Sequence, residues 1–295
     1  MSATTDNSGR PFLDPPDDGA AVPRIGILPV PFEATTSYGQ GTAAGPAAIL
    51  EASCQVEFYD EELDCEPYRV GLQTLPAVNF SGVVGADAIA RIDTAMSGIL
   101  ANEQWPLALG GEHAMTTGCV RACLRRHPGL GVLQIDAHGD LRAAYEDSPW
   151  SHASVMRRIV ELGCPTVGVG LRSICPEERE FIRANRLPRW FAYQMAANDD
   201  WMDAAIAALP AKIFLTVDVD GIDPSLIRAT GTPEPGGIGW WPLLRFLRRV
   251  FQQREVVGAD VVELAPTAND HTSNFTVAKL AYKLIGYWGI SRHLL

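Results

Sequence analysis

Apolar residues along this chain alternate between short unbroken runs and longer stretches of helical periodicity. The runs at 24–31, 105–109, 131–135, 166–170, 190–192, 213–217 and 255–262 are too short for helices and read as buried strands. Between them, segments 46–52, 83–102, 155–162, 176–185, 200–209, 242–252 and 274–287 read as helices, as does one running from the strand after 109 to about 126. In the 83–102 stretch Ile89, Ile92, Met96 and Ile99 lie on one face. Pro46 occupies a first helical turn, where its missing amide hydrogen leaves no bond unmade. Regular alternation of strand and helix predicts the α/β class, a mainly parallel sheet layered between helices, α/β/α. No repeat or linker divides the chain after residue 22, so 23–295 reads as one domain.

In open sheets of this class, ligands gather beyond the carboxyl ends of the strands. Two of the expected strands end in acids. The run Gly131-Val-Leu-Gln-Ile135 leads into Asp136-Ala-His-Gly-Asp140, and the run Ile213-Phe-Leu-Thr-Val217 leads into Asp218-Val-Asp-Gly-Ile-Asp223. In extended chain, residues two apart share a side, so Asp136 with His138, and Asp218 with Asp220, converge beyond their strands. His113 follows a third strand through a Gly-Gly turn. Singly, each of these residues is an ordinary cap or turn residue. Together, four carboxylates at neighbouring strand ends repel unless cations neutralise them, and His113, Asp136, His138, Asp140, Asp218 and Asp220 form a donor set for two divalent ions. Oxygen-rich ligation with some imidazole and no thiolate favours Mn²⁺, with Fe²⁺, Co²⁺, Ni²⁺ and Zn²⁺ as alternatives. Asp223 reads as a residue that orients a ligand rather than as a ligand itself.

Composition narrows the class further. A hydrophobic fraction of 47% and a charged fraction of 20% suit a folded globular chain and oppose disorder. No apolar run reaches the length of a membrane span. The first 18 residues are polar and Pro-rich without the apolar centre of a signal peptide, so 1–22 reads as a flexible arm or surface-bound extension. A net charge of −11 disfavours nucleic acid and is compatible with a small cationic substrate. Six cysteines without a C-x-x-C pair read as reduced thiols, which places the protein in the cytoplasm.

Gly110-Gly-Glu-His113, Asp136-Ala-His-Gly-Asp140, Ser151-His-Ala153, Asp218-Val-Asp-Gly-Ile-Asp223, Gly231-Thr-Pro-Glu-Pro-Gly-Gly237 and Asp260-Val-Val-Glu-Leu-Ala-Pro266, in this order, closely resemble the ureohydrolase family of arginases and agmatinases. The likeness spans about 24–290, and the stretches Pro31–Tyr38 and Ser151–Arg158 resemble the agmatinase branch. It implies an arginase/deacetylase-like sheet of roughly eight strands and two Mn²⁺ ions bridged by a hydroxide that attacks a guanidinium carbon. In that resemblance His113, Asp136, Asp140 and Asp218 hold one ion. Asp136, His138, Asp218 and Asp220 hold the other. Asp140 acts as base and then acid, His152 shuttles a proton near the mouth, and Glu263 pairs with the guanidinium. A homo-oligomer, trimer or hexamer, is implied as well.

Arginases usually carry Asn and Ser after the Asp-Ala-His-x-Asp motif to hold the amino-acid end of arginine. Leu141-Arg142 stands there instead. The departure favours agmatine, hydrolysed to putrescine and urea, over arginine. N1-aminopropylagmatine and guanidinobutyrate remain alternatives, the second because Arg142 could attract an anionic tail. Two-metal phosphoesterases add Gly-Asn-His and Gly-His-x-His segments that do not occur here. A deacetylase of similar fold would lack part of the donor set. A non-catalytic scaffold should have lost ligands, and all six stand.

Overall fold

The computed structural model describes residues 10–15 and 22–295. Eight strands form one sheet in the order β2-β1-β3-β8-β7-β4-β5-β6, and every neighbouring pair runs parallel. The strands are β1 (Ile25–Val30), β2 (Leu72–Thr74), β3 (Trp105–Gly110), β4 (Gly131–Ile135), β5 (Thr166–Leu171), β6 (Arg189–Phe191), β7 (Lys212–Asp218) and β8 (Glu255–Val262). The helices are α1 (Gly45–Ser53), α2 (Gly85–Ala101), α3 (Thr116–Arg126), α4 (Val155–Glu161), α5 (Pro176–Asn185), α6 (Ala192–Met195), α7 (Asp200–Ala207), α8 (Trp240–Gln253) and α9 (His271–Ser291).

Period-two alternation sends successive strand residues to opposite faces. Ile25, Ile27, Leu107, Leu109, Leu133, Ile135, Leu215 and Val217 pack on one side with α1, α7, α8 and α9. Leu28, Val30, Ala108, Val132 and Phe214 pack on the other with α2, α3 and α4. Two apolar layers, one on each face, give the three-layer α/β/α sandwich the sequence pattern predicts.

Most differences from the expected elements lie at their ends. The strand at 255–262 coincides with β8. The last helix is longer than 274–287 because Asp270 caps it, its side chain accepting from the Ser273 amide. α8 starts before Pro242, which a first helical turn tolerates. β2 was not anticipated. Three residues cannot display a period, and this strand exists by pairing with β1 at the sheet edge.

Where the stretch expected as an arm or surface-bound extension is described, at 10–15, it lies against the domain. Phe12 and Leu13 are buried in the core face that holds α1 and α9. The Phe12 amide donates to Thr74 Oγ1 at 2.9 Å, and the Leu13 amide donates to Ser53 Oγ at 2.9 Å. Two apolar side chains amid Pro and Asp are enough to fasten this short stretch. Residues 1–9 and 16–21 lie outside the described residues.

Candidate metal centre and substrate cavity

The chain runs from β3 to β4 while leaving room between them, which β8 and β7 fill later in the sequence. The four central neighbours β3, β8, β7 and β4 therefore deliver the residues that follow their carboxyl ends to one place. β3 brings His113, β4 brings Asp136, His138 and Asp140, β7 brings Asp218 and Asp220, and β8 brings Glu263.

His113 Nδ1 stands 3.2 Å from Asp136 Oδ2, 3.1 Å from Asp140 Oδ2 and 3.2 Å from Asp218 Oδ2. This buried nitrogen makes no hydrogen bond of acceptable geometry with any of them. One imidazole nitrogen ringed by three carboxylate oxygens, none aligned with it, is a donor set that suits a cation. Beside it, His138 Nδ1 lies 2.9 Å from Asp220 Oδ2 and 3.7 Å from Asp136 Oδ1. Asp136 thus turns one oxygen to each cluster, and both groups could hold a metal ion. All six residues named from the sequence meet here.

Buried polar partners set the orientation of these ligands. Gln134 Nε2 donates to Asp136 Oδ2 at 2.8 Å, and the His138 amide donates to Asp136 Oδ1 at 2.6 Å. His113 Nε2 lies 2.9 Å from Thr216 Oγ1, and Thr116 Oγ1 donates to Asp260 Oδ2 at 2.8 Å. A proton on Nε2 leaves Nδ1 free to face the carboxylates. Gln134, Thr216 and Asp260 stand inside the quoted sequence runs without a role of their own, although a polar residue inside an unbroken apolar strand is itself a signal. Gly221 allows the close approach of the two acid-bearing ends, since a Cβ there would lie 2.7 Å from the Asp136 amide nitrogen. Gly221→Ala is expected to cost about 1–3 kcal/mol and to lower metal content with it. An unchanged Tm with full metal content would contradict this.

Electrostatics within the cluster are strongly coupled. Burial opposes charge on His113, but the close carboxylates of Asp136, Asp140 and Asp218 raise its pKa well above the ordinary value. Burial likewise opposes charge on His138, and Asp220 with Asp136 pushes it up to about 12. Asp136 is held well below the carboxyl range, since the two imidazoles beside it outweigh burial. Burial and the Asp136 charge raise Asp140 to about 7, and burial with the charges of Asp220 and Asp136 raises Asp218 well above its usual value.

A cation must therefore displace protons. In protein stripped of metal, the stability linked to Asp140 is fully present below its ordinary pKa of 3.8 and is lost as pH rises through about 7. Metal affinity should rise over the same window, roughly tenfold per pH unit for each proton displaced. Competition against a calibrated chelator at a series of pH values measures the slope. A flat profile would sink the ligand assignment.

Two connected chambers lie over the cluster. The inner one, about 30 Å³, is lined by His138, Asp140, His152, Asp218, Asp220, Gly231, Thr232 and Glu263, with residues 36–39. Its size suits a few heavy atoms. The outer one, about 250 Å³, shares Ser37, His138, Asp140, His152 and Thr232 with it and adds Arg142, Tyr145, Ser173, Cys175 and Glu178. Glu33 holds the 33–43 loop that contributes to both chambers, accepting from the Gly41 and Ala43 amides at 2.8 Å.

Glu263 Oε1 accepts from the His113 amide at 2.6 Å. Burial and the Glu112 charge push its pKa up to about 8 against that bond. Both Asp140 and Glu263 adopt left-handed backbone, at φ 53 and 68, a conformation uncommon for residues other than Gly and one that functional sites often retain. His152 is pushed down to about 4 by burial and by the charges of His113 and His138, so it is neutral near pH 7. Asp223 lies outside both groups that could hold a metal ion. Its Oδ2 accepts from the Gly236 and Gly237 amides at 3.1 Å, and Arg172 donates to the Glu234, Pro235 and Asp220 carbonyls, so the 231–237 loop is pinned from two sides.

Residues 23–286 match the family model described as the arginase family. An N(1)-aminopropylagmatine ureohydrolase of Synechocystis sp. is 46% identical over 273 residues, 90% of this chain and 89% of that protein. An agmatinase of Pyrococcus horikoshii is 32% identical across 88% of this chain and 90% of its own length. The solved agmatine ureohydrolase of Thermoplasma volcanium superimposes with a TM-score of 0.81 at 25% identity, covering 98% of this chain and 95% of that one.

Proposed function

The chain belongs to the arginase family, and from that premise we propose that it is a two-metal ureohydrolase acting on N1-aminopropylagmatine, releasing urea and a polyamine. Agmatine, favoured by the sequence alone, becomes the second substrate. The 46% identity to a relative bearing the N(1)-aminopropylagmatine ureohydrolase name is the observation that carries the choice. An outer chamber of about 250 Å³ beyond the inner one offers the longer tail its room. The surplus of acids, net charge −11, favours a polycation over a zwitterion.

His113, Asp136, Asp140 and Asp218 would hold one ion, and Asp136, His138, Asp218 and Asp220 the other. Oxygen and imidazole donors without thiolate support Mn²⁺. When bound, such a pair supplies the Lewis acidity that makes water a nucleophile at neutral pH. Glu263 faces the inner chamber as the carboxylate partner of a guanidinium. Asp140, at the floor of both chambers, would take a proton from the attacking water and give it to the leaving nitrogen. Neutral His152 would carry a proton between that nitrogen and the mouth. We also propose a cytoplasmic homo-oligomer, trimer or hexamer. Among the described residues, no helix is long and apolar enough to cross a membrane.

Arg142 favours a second reading, since its guanidinium lies over the Tyr145 ring at 5.2 Å on the outer wall and would welcome a carboxylate tail such as that of guanidinobutyrate. A substrate panel with Mn²⁺-loaded protein decides, reading urea and kcat/KM. N1-aminopropylagmatine should exceed agmatine by about tenfold or more, with arginine and guanidinobutyrate lower still. Guanidinobutyrate at the head of the panel would install the second reading, and no urea from any member would end both.

A further inference from the structure

We propose that Glu112, acting through the hydroxyl of Thr35, fixes which ring nitrogen of His152 carries the proton. Glu112 is buried in the Gly-Gly turn ahead of His113. Its Oε2 accepts from the Ala34 and Thr35 amides, both at 2.6 Å, and its Oε1 accepts the Thr35 hydroxyl at 2.8 Å. That donation uses the only hydrogen the hydroxyl has. Thr35 Oγ1 also faces two nitrogens of His152. The backbone amide, at 3.1 Å, can only donate. Ring Nδ1, at 3.3 Å, meets an oxygen with no hydrogen left to offer, so the contact is attractive only when Nδ1 itself bears the proton. One hydrogen given and two accepted fill the capacity of a hydroxyl. Neutral His152 is thereby the Nδ1–H tautomer, and Nε2 is the unprotonated nitrogen of a ring that lines both chambers. Glu112 and Thr35 are positioning residues: they act on the reaction through His152.

The inference rests on the proton-carrying role given to His152 above, and two readouts separate the pair. Glu112→Gln keeps size and packing while reversing the polarity of the contact. The amide oxygen can still take both backbone amides, but the amide nitrogen must donate to Thr35 Oγ1. The hydroxyl then turns its hydrogen towards Nδ1 and moves the imidazole proton to Nε2. Long-range ¹H–¹⁵N spectra of the full-length chain loaded with diamagnetic Zn²⁺ report the tautomer directly. The chain has only six histidines, so His152→Asn identifies the signal.

The wild type should show protonated Nδ1 and bare Nε2, Glu112→Gln the reverse, and Thr35→Val a mixture. With Mn²⁺-loaded protein, Glu112→Gln should lose about 10- to 100-fold in kcat and Thr35→Val about two- to fivefold, each with KM within about threefold, and Thr35→Ser should restore kcat relative to Thr35→Val. Protonated Nε2 in the wild type, or an unmoved tautomer in both Glu112→Gln and Thr35→Val, overturns the inference whatever their folding does to activity. Full turnover by His152→Asn beside a wild type with protonated Nδ1 would instead overturn the proton-carrying role and leave the tautomer assignment standing.

Discussion

Asp136→Asn should abolish urea release, by at least about a thousandfold, and strip the protein of most of its bound metal. Both carboxylate oxygens are committed as acceptors: Oδ1 takes the His138 amide and Oδ2 takes Gln134 Nε2. An asparagine NH₂ turned to the His138 amide sets two donors face to face, and turned to Gln134 it forces that side-chain amide to flip and give up its bond to the His138 carbonyl. Each oxygen also faces one of the two histidines, 3.2 Å from His113 Nδ1 and 3.7 Å from His138 Nδ1. The change therefore reaches both metal positions at once. Metal content by elemental analysis, measured beside urea release, tests it. A variant holding two ions with turnover near wild type would remove Asp136 from the centre.

Glu263→Gln should separate binding of the substrate from binding of metal. The amide oxygen can replace Oε1 as acceptor for the His113 amide, so the turn after β3 keeps its anchor. What is lost is the capacity to present a carboxylate to the proposed guanidinium, whose positive charge would favour ionised Glu263 over the neutral form that burial promotes. A charge-assisted pair in a water-poor chamber is worth about 2–4 kcal/mol, so kcat/KM should fall about 30- to 1000-fold. Metal content and Tm should stay near wild type. A kcat/KM within a few-fold of wild type would mean that another group holds the guanidinium. Loss of metal would mean that Glu263 serves the centre rather than the substrate.

Local pattern was enough to name the candidate donor set that the fold brings together. Asp136, His138, Asp140, Asp218 and Asp220 stand immediately after buried apolar runs, and the two-residue repeat of extended chain tells which of them share a side. Less local contacts were hidden. Glu263 bonds to His113 across 150 residues, and Thr35 reaches Glu112 and His152 across 77 and 117. Thr35 lies in a loop with no period, and Glu112 looks like any acid in a turn. Gln134, Thr216 and Asp260 were concealed for the opposite reason, as single polar residues inside apolar strands whose hydrophobic neighbours dominate the pattern. Phe12 and Leu13 were read as part of an arm because two apolar residues amid Pro and Asp make no run.

By itself, the sequence determined the α/β class, the strands and helices longer than a turn, the family likeness and the residues of the candidate metal centre. These depend on side-chain periodicity and on residues a few positions apart. The tertiary structure decided which acids meet, because the order β3-β8-β7-β4 joins strands far apart in the chain. It also decided how the supporting hydrogen bonds run, for a donor and an acceptor find each other in space, and no spacing along the chain records that meeting.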